Sequence, residues 1–296
     1  MQNISYLETL KKYGLEIESI SPDSILNELE EKHTFEKTVI GLDIYRYSKM
    51  ENKTQILIPV IFDLLFSQAE TWMKQYEKNL IKDDTHLQDF FIHTGDGGFL
   101  LVDNPIIGIV FLLHFYTLLN LYNSGLYLNE YYAITKEIEI RACMTKGSVF
   151  KYHSNYFGKA IIQNARILAA DKLNRFLIDE NVNNWFNKNI NGITSLLIRT
   201  GEEFETILNL PKESLKESKI FCYKNYVTID NIPTGNSSIK HVTKQKIGEI
   251  SVKEDKNSIY NVEIQRYAFF EIPGTTLKLN NIVITIGNSN AAGLII

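Results

Sequence analysis

FIHTGDGGFLL, residues 91–101, sets two short apolar runs around the tetrad Gly95-Asp96-Gly97-Gly98. An Asp-Gly turn between such runs makes a β-hairpin. Upstream, TVIGLD (38–43) is rich in β-branched and apolar residues and is followed by a polar cluster, the pattern of a short buried strand. Asp43 and Asp96 therefore close strands expected to be neighbours in one sheet. Alone, Asp43 reads as a turn residue or helix N-cap, and Asp96 as good turn chemistry. Together they offer the hard oxygen donors that a pair of divalent cations needs to bridge a triphosphate.

The neighbouring segments fit the same picture. Tyr45, Arg46, Tyr47 and Ser48 fall between the first strand and a helical pattern over about 54–79. Unsatisfied backbone N–H groups at a helix start face outward there, toward any phosphate. Pro105 then opens the nearly continuous apolar run 106–122. A membrane span needs about 20 such residues, and this run holds His114 and Asn120 and has no basic flank, so it reads as a buried domain helix.

A strand over 137–144, a glycine turn into 148–151, a helix over 159–172 and a strand over 175–178 come next. The order β, α, β, β, α, β implies an α+β fold, a mainly antiparallel sheet with helices on one face. Arg141, on a central strand, is either a salt-bridge partner of a carboxylate or a clamp for a triphosphate. Arg166 shares a helical face with Ile162 and Ala169-Ala170, a face expected to be packed, and could stabilise charge developing on phosphorus.

The chain divides into a polar, amphipathic leader over 1–35 (Leu7, Leu10, Leu15, then Ser21-Pro22-Asp23), a main domain over 36–190, a linker over 191–214 and a β-rich region over 215–296. Lys212, Lys216 and Lys219 read as solvated charge, and turn signals stand at 233–235 and 273–274. The apolar end NNIVITIGNSNAAGLII (280–296) should be covered, by the main domain or by a partner chain.

Composition narrows the function. Of 296 residues 44% are apolar and 22% charged, which is globular and excludes collagen, coiled coil and wholesale disorder. With 31 Lys plus Arg against 35 Asp plus Glu, nothing marks a nucleic-acid partner. The two cysteines, Cys143 and Cys222, make no disulfide framework, and the amino-terminal stretch lacks a secretory core, so a reduced cytoplasm without membrane attachment is expected. His93 and His153 read as packed or exposed imidazoles. There is no zinc spacing, Ser-His-Asp order or dinucleotide fingerprint.

Over residues 36–187 the motifs resemble the class III nucleotidyl cyclases. GLDIYRYS (41–48) is similar to the family's first strand and loop, FIHTGDGGFLL to its second metal-binding hairpin, and IRACMTKGSVF (140–150) to its phosphate-binding strand. NYFGKAIIQNARILAADK (155–172) resembles the segment that carries the transition-state arginine, and NRFLIDENV (174–182) resembles the family's next segment. The departures are specific: Ile92 replaces a purine-reading lysine, Asn155 the matching aspartate, and Ile162 a ribose-orienting asparagine.

Without the purine-reading pair, and with a β-rich tail, the chain resembles the pyrimidine cyclases of bacterial Pycsar antiphage systems. The resemblance implies a ferredoxin-like cyclase domain and a phosphorus-oxygen lyase. It would convert UTP to 3′,5′-cyclic UMP and pyrophosphate with two Mn2+ or Mg2+ ions, and the product would act on a separate effector. Asp43, Asp96 and the Ile44 carbonyl would hold metal; Tyr45 to Ser48 and Arg141 would bind phosphate. Asn155 would read the base, Phe35 stack on it, and Arg166 act in the transition state. A homodimer is implied, with Asp43 and Asp96 from one subunit and Asn155 and Arg166 from the other. A cytidylate cyclase, a purine cyclase and a nucleotide sensor without turnover are the alternatives.

Overall fold

In the computed structural model the chain is described over residues 33–125, 127–152, 155–194, 197–199, 236–252, 255–270 and 280–294, with Asp23, Asn27 and Glu30. The leader's leucines, Ser21-Pro22, His153, the lysines at 212, 216 and 219, Cys222 and the turns at 233–235 and 273–274 lie outside the described residues.

TVIGLD forms the end of β1 (Thr34–Ile44), buried from Thr38 to Leu42. A run this continuous must have both faces covered. Ile40, Leu42 and Ile44 pack with the helices α1 (Asn52–Tyr76) and α2 (Pro105–Asn123). Val39 packs on the opposite side with Ala160 of α4 (Lys159–Ala170). The helices therefore cover both faces of the sheet, not one.

The FIHTGDGGFLL hairpin forms β2 (Phe91–His93) and β3 (Gly97–Val102). After α2 come a short α3 (Asn129–Thr135), β4 (Ile140–Tyr152), β5 (Asn155–Phe157) and, beyond α4, β6 (Phe176–Asp179) and α5 (Glu180–Thr194). β4 runs straight through Gly147, where a turn was expected. β7 (Leu197–Arg199), β8 (Asn236–Val252), β9 (Asp255–Phe270) and β10 (Asn280–Gly287) complete the described strands. The sheet order is β2-β3-β1-β4-β6-β9-β8-β7, with β5 on β4 and β10 on β9. Only β4 and β6 pair in parallel among the described strands.

The described part of the β-rich region is thus not a separate unit. β9 pairs with β6 from Phe176↔Val262 to Asp179↔Ile259, and Ile284 and Ile286 of β10 enter the main core. A β6 edge inside an apolar fold would leave backbone groups unpaired, and β9 satisfies them.

α1 and α2 are long and apolar enough to cross a membrane among the described residues. In α2 burial accounts for that composition: Phe111 and Phe115 are fully enclosed, each contributing about 1.5–3 kcal/mol on burial. Asn104 caps this helix by accepting from the N–H groups of Ile106 and Ile107, with Pro105 in the first turn.

His114 of α2 is enclosed, and among the described residues neither of its ring nitrogens has a hydrogen-bond partner. Burial, followed by the nearby Arg266 guanidinium, holds its pKa well below the usual 6.5. The folded protein keeps His114 neutral where the unfolded chain protonates, so stability falls as pH drops below 6.5, by about 1.4 kcal/mol per pH unit from this group. Asp179, raised to about 6 mainly by burial, opposes that slope between 6 and 3.8. We expect His114→Leu to gain urea resistance over wild type at pH 5 relative to pH 8. An unchanged difference between the two pH values would remove His114 as a source of acid sensitivity.

Candidate active site

Asp43 is flanked in the sheet by Gly97 of β3 on one side and Arg141 of β4 on the other. The glycine tetrad lets the hairpin turn fold this close. A Cβ on Gly97 would stand 2.0 Å from the Leu42 carbonyl oxygen, and one on Gly98 2.2 Å from that of Ile92. The Ile44 N–H donates to the Asp96 carbonyl at 3.0 Å, which joins the end of β1 to the turn. Asp43 and Asp96 are both half-buried, and the charge of Asp96 reaches Asp43. The Asp43 pKa is raised, first by burial and also by Asp96, against the opposing pull of Arg141.

Arg141 Nε donates to Asp43 Oδ2 at 2.5 Å, and Arg141 Nη1 donates to the Asp171 carbonyl at the end of α4. Of the two readings open for Arg141, the ion pair is the one seen. Asp43 is not a helix N-cap, because α1 begins only at Asn52 and its cap is Glu51.

The loop expected between β1 and the long helix holds a short 3-10 turn, Tyr47–Lys49, before α1 begins at Asn52. Its first N–H groups have no acceptor within the turn. Arg46 takes a left-handed conformation (φ 61) and lies over the Tyr45 ring at 4.8 Å. Tyr45 Oη donates to Lys172 O at 3.1 Å, and Tyr47 Oη to Gln55 O at 3.1 Å. Ser48 is exposed.

The other expected residues stand apart from this cluster within the chain. Phe35, 43% exposed, lies opposite Val149 at the far end of β1, about 27 Å along an extended strand from Asp43. Asn155, exposed, pairs with Tyr152 at the far end of β4. Its neighbour Tyr156 packs in the same cluster as Ile92. Arg166 and Ile162 are exposed, which corrects the expected packed face of α4. Arg166 Nη1 donates to Ser251 O in β8 at 3.4 Å.

The face of α4 that packs carries Gln163, Asn164, Ile167 and Leu168. Asn164 Nδ2 donates to Val39 O, Cys143 O and Thr145 Oγ1 at 2.9–3.2 Å, and bolts the helix to β1 and β4. Gly41 leaves the room: a Cβ there would stand 2.0 Å from Asn164 Oδ1.

Asp171 and Arg175 were not singled out from the sequence. They form an ion pair, each 1% exposed, at 2.7 Å. Their i,i+4 spacing across the end of α4 was the available signal.

The donor set suits a hard divalent cation. The Asp96 carboxylate stands within electrostatic reach of Asp43, on the turn whose backbone carbonyl accepts from the Ile44 N–H. Among the described residues no group of three or more His, Cys, Asp or Glu side chains gathers, here or elsewhere, so the pair relies on the Ile44 carbonyl as a further oxygen donor. A cation held by these carboxylates could neutralise a phosphate chain, with the Arg141 guanidinium alongside.

No protein-family model and no curated protein matches the chain. Among solved structures it is similar to the adenylyl cyclase CyaB from P. aeruginosa, at 12% identity and TM-score 0.42, over 77% of this chain and 95% of that one. It is similar to the catalytic core of a rhodopsin-guanylyl cyclase with converted specificity, at 13% identity and TM-score 0.41, over 78% and 97%. A third is an adenylate/guanylate cyclase/hydrolase from Silicibacter pomeroyi, at 12% identity and TM-score 0.39, over 77% and 96%. These values mark a remote likeness, too distant to assign an activity.

Proposed function

We propose that this chain is a nucleotide cyclase, a phosphorus-oxygen lyase that turns a pyrimidine nucleoside triphosphate, UTP first, into the 3′,5′-cyclic monophosphate and pyrophosphate. The observation that carries this reading is the meeting of Asp43 and Asp96 at adjoining strand ends with Arg141 against Asp43.

Asp43, Asp96 and the Ile44 carbonyl would hold Mn2+ or Mg2+, which supplies charge neutralisation of the triphosphate and acidifies the ribose hydroxyl. The ribose 3′ oxygen attacks the α-phosphorus in line, and pyrophosphate leaves. Arg141, released from Asp43, forks onto the phosphate chain. The N–H groups of Tyr47 and Ser48, at the start of the 3-10 turn, add donors to the same oxygens, that of Lys49 being held by the Arg46 carbonyl. Arg166 of a second copy stabilises the charge that develops on phosphorus. Asn155 and Phe35 of that copy read and stack the base. An amide can offer either a donor or an acceptor, so Asn155 suits uracil and cytosine alike.

The reading of pyrimidine over purine rests on Ile92, an apolar side chain packed against the cluster that includes Tyr156, where a purine-reading lysine would stand. The cyclic nucleotide would serve as a second messenger for a cytoplasmic effector in antiphage defence. A sensor without turnover is a second reading, favoured by Ile162 at the ribose-orienting position, 50% exposed.

Purified protein incubated with Mn2+ and the four ribonucleoside triphosphates should consume UTP, with CTP second, and yield a cyclic product identified by chromatography. Preferential use of ATP or GTP would refute the base assignment alone. Binding of triphosphate with no pyrophosphate released would establish the sensor.

A further inference from the structure

The Arg141 guanidinium is held from two sides, and one of them is built from residues remote from the carboxylates. Its Nη1 bonds the carbonyl of Asp171, the residue that ends α4. The Asp171 side chain fixes that peptide: Oδ1 accepts from Leu173 N–H at 3.2 Å and from Arg175 Nε and Nη2 at 3.0 and 2.7 Å. The Arg175 carbonyl in turn accepts from the N–H of Ala142, next to Arg141, at 3.0 Å.

The remaining arm of Arg175 points at the end of the described chain. Nη1 donates to Asn290 O at 3.2 Å and Ala292 O at 2.5 Å. That segment is tied down in turn, because Asn261 Nδ2 of β9 donates to Asn288 O at 2.6 Å and Asn290 O at 3.0 Å. A continuous polar path therefore runs from residues 288–292 through Arg175 and Asp171 to Arg141.

We infer that the enclosed Asp171–Arg175 pair is a positioning device for Arg141, clamped by residues 288–292, and that it sets the affinity of the site for the phosphate chain. The inference rests on the reading of Arg141 as a phosphate ligand. Enclosed ion pairs contribute little net stability and are replaceable by apolar residues, so a purely structural account gives no reason to aim the pair at Arg141. A bidentate guanidinium needs a fixed plane, and an arginine free to rotate binds phosphate less tightly. The design also gives the β-rich region a role in the site, since β9 and the 288–292 segment hold the far end of the path.

The test measures binding of inorganic tripolyphosphate with Mn2+ to the full chain by calorimetry, which requires no turnover and no choice of base. Arg141→Ala and the double variant Asp171→Leu/Arg175→Met are each expected to weaken binding about tenfold. The triple variant should be no weaker than Arg141→Ala, because residues that act through one group do not add. In turnover the double variant should raise KM for the triphosphate and leave kcat within about twofold. Arg175→Lys keeps the charge without the fork, and should show the same direction if the double variant does not fold. Wild-type binding in Arg141→Ala would remove the phosphate reading of Arg141. Weak binding in Arg141→Ala with wild-type binding in both pair variants, or losses that multiply in the triple variant, would overturn the positioning role alone.

Discussion

Asp43→Ala and Asp96→Ala are each expected to lower cyclic nucleotide formation by about a thousandfold or more, with the fold retained. The two losses arise differently. Asp43 is the shared neighbour of the Asp96 turn and of Arg141, at 2.5 Å from the guanidinium. Its removal deletes an oxygen donor and leaves a half-buried arginine without its carboxylate, so Asp43→Ala should also lose about 1–3 kcal/mol of stability. Asp43→Asn retains an acceptor for Arg141 and separates these effects, with stability largely restored and activity still absent. Asp96 contributes its backbone carbonyl to Ile44, which Asp96→Ala preserves, so the stability change should stay within about 1 kcal/mol. Product chromatography and thermal melts of the same preparations measure both quantities. Wild-type cyclisation in either alanine variant would falsify the carboxylate site.

The parts of this molecule that the sequence made legible are those written in local pattern. The run 38–42 is nearly apolar on both of its faces, and only a strand covered above and below uses such a run. The tetrad at 95–98 is turn chemistry, and Gly97 and Gly98 are further required by the approach of the Leu42 and Ile92 carbonyls. Strand partnership is a different matter, because it is settled by distant segments. Nothing in FLID (176–179) announces that its free side will take β9, more than seventy residues on.

The face of α4 was misread for a related reason. Hydrophobicity ranks Ile162 and Ala169 as inward and Asn164 and Gln163 as outward, yet the polar pair is enclosed. Asn164 Nδ2 finds two carbonyls and a hydroxyl on β1 and β4, which offsets part of the cost of burying the amide, while its Oδ1 has no partner among the described residues. The helix could turn that face inward because Gly41 leaves space for it. Asp171 and Arg175 escaped notice because their value lies in what surrounds them, the Arg141 side chain and the 288–292 carbonyls, which no spacing rule brings together.

A second expected result arises from the division of the site residues within one chain. Asp43, Asp96 and Arg141 meet at one end of β1 and β4, while Phe35 and Asn155 stand at the other, about 35 Å along an extended β4 from Arg141 in the case of Asn155. Arg166 faces outward from α4 and bonds a β8 carbonyl, not the carboxylates. Phe150 and Phe157 stack at 5.5 Å while exposed, beside the Phe35 end of the sheet, an apolar surface that a second copy would cover.

If two copies complete each other's sites around a two-fold axis, Asp43→Ala and Arg166→Ala are each inactive alone. Co-expressed with different tags and purified through both, they form heterodimers in which one site carries both lesions and the other carries neither. Such heterodimers should recover about half of wild-type activity. A site built within one chain gives the opposite outcome, since every chain in the mixture is damaged and no pairing repairs it. Double-tagged heterodimers as inactive as either parent would place the whole reaction in a single subunit and withdraw Asn155 and Arg166 from the opposing half.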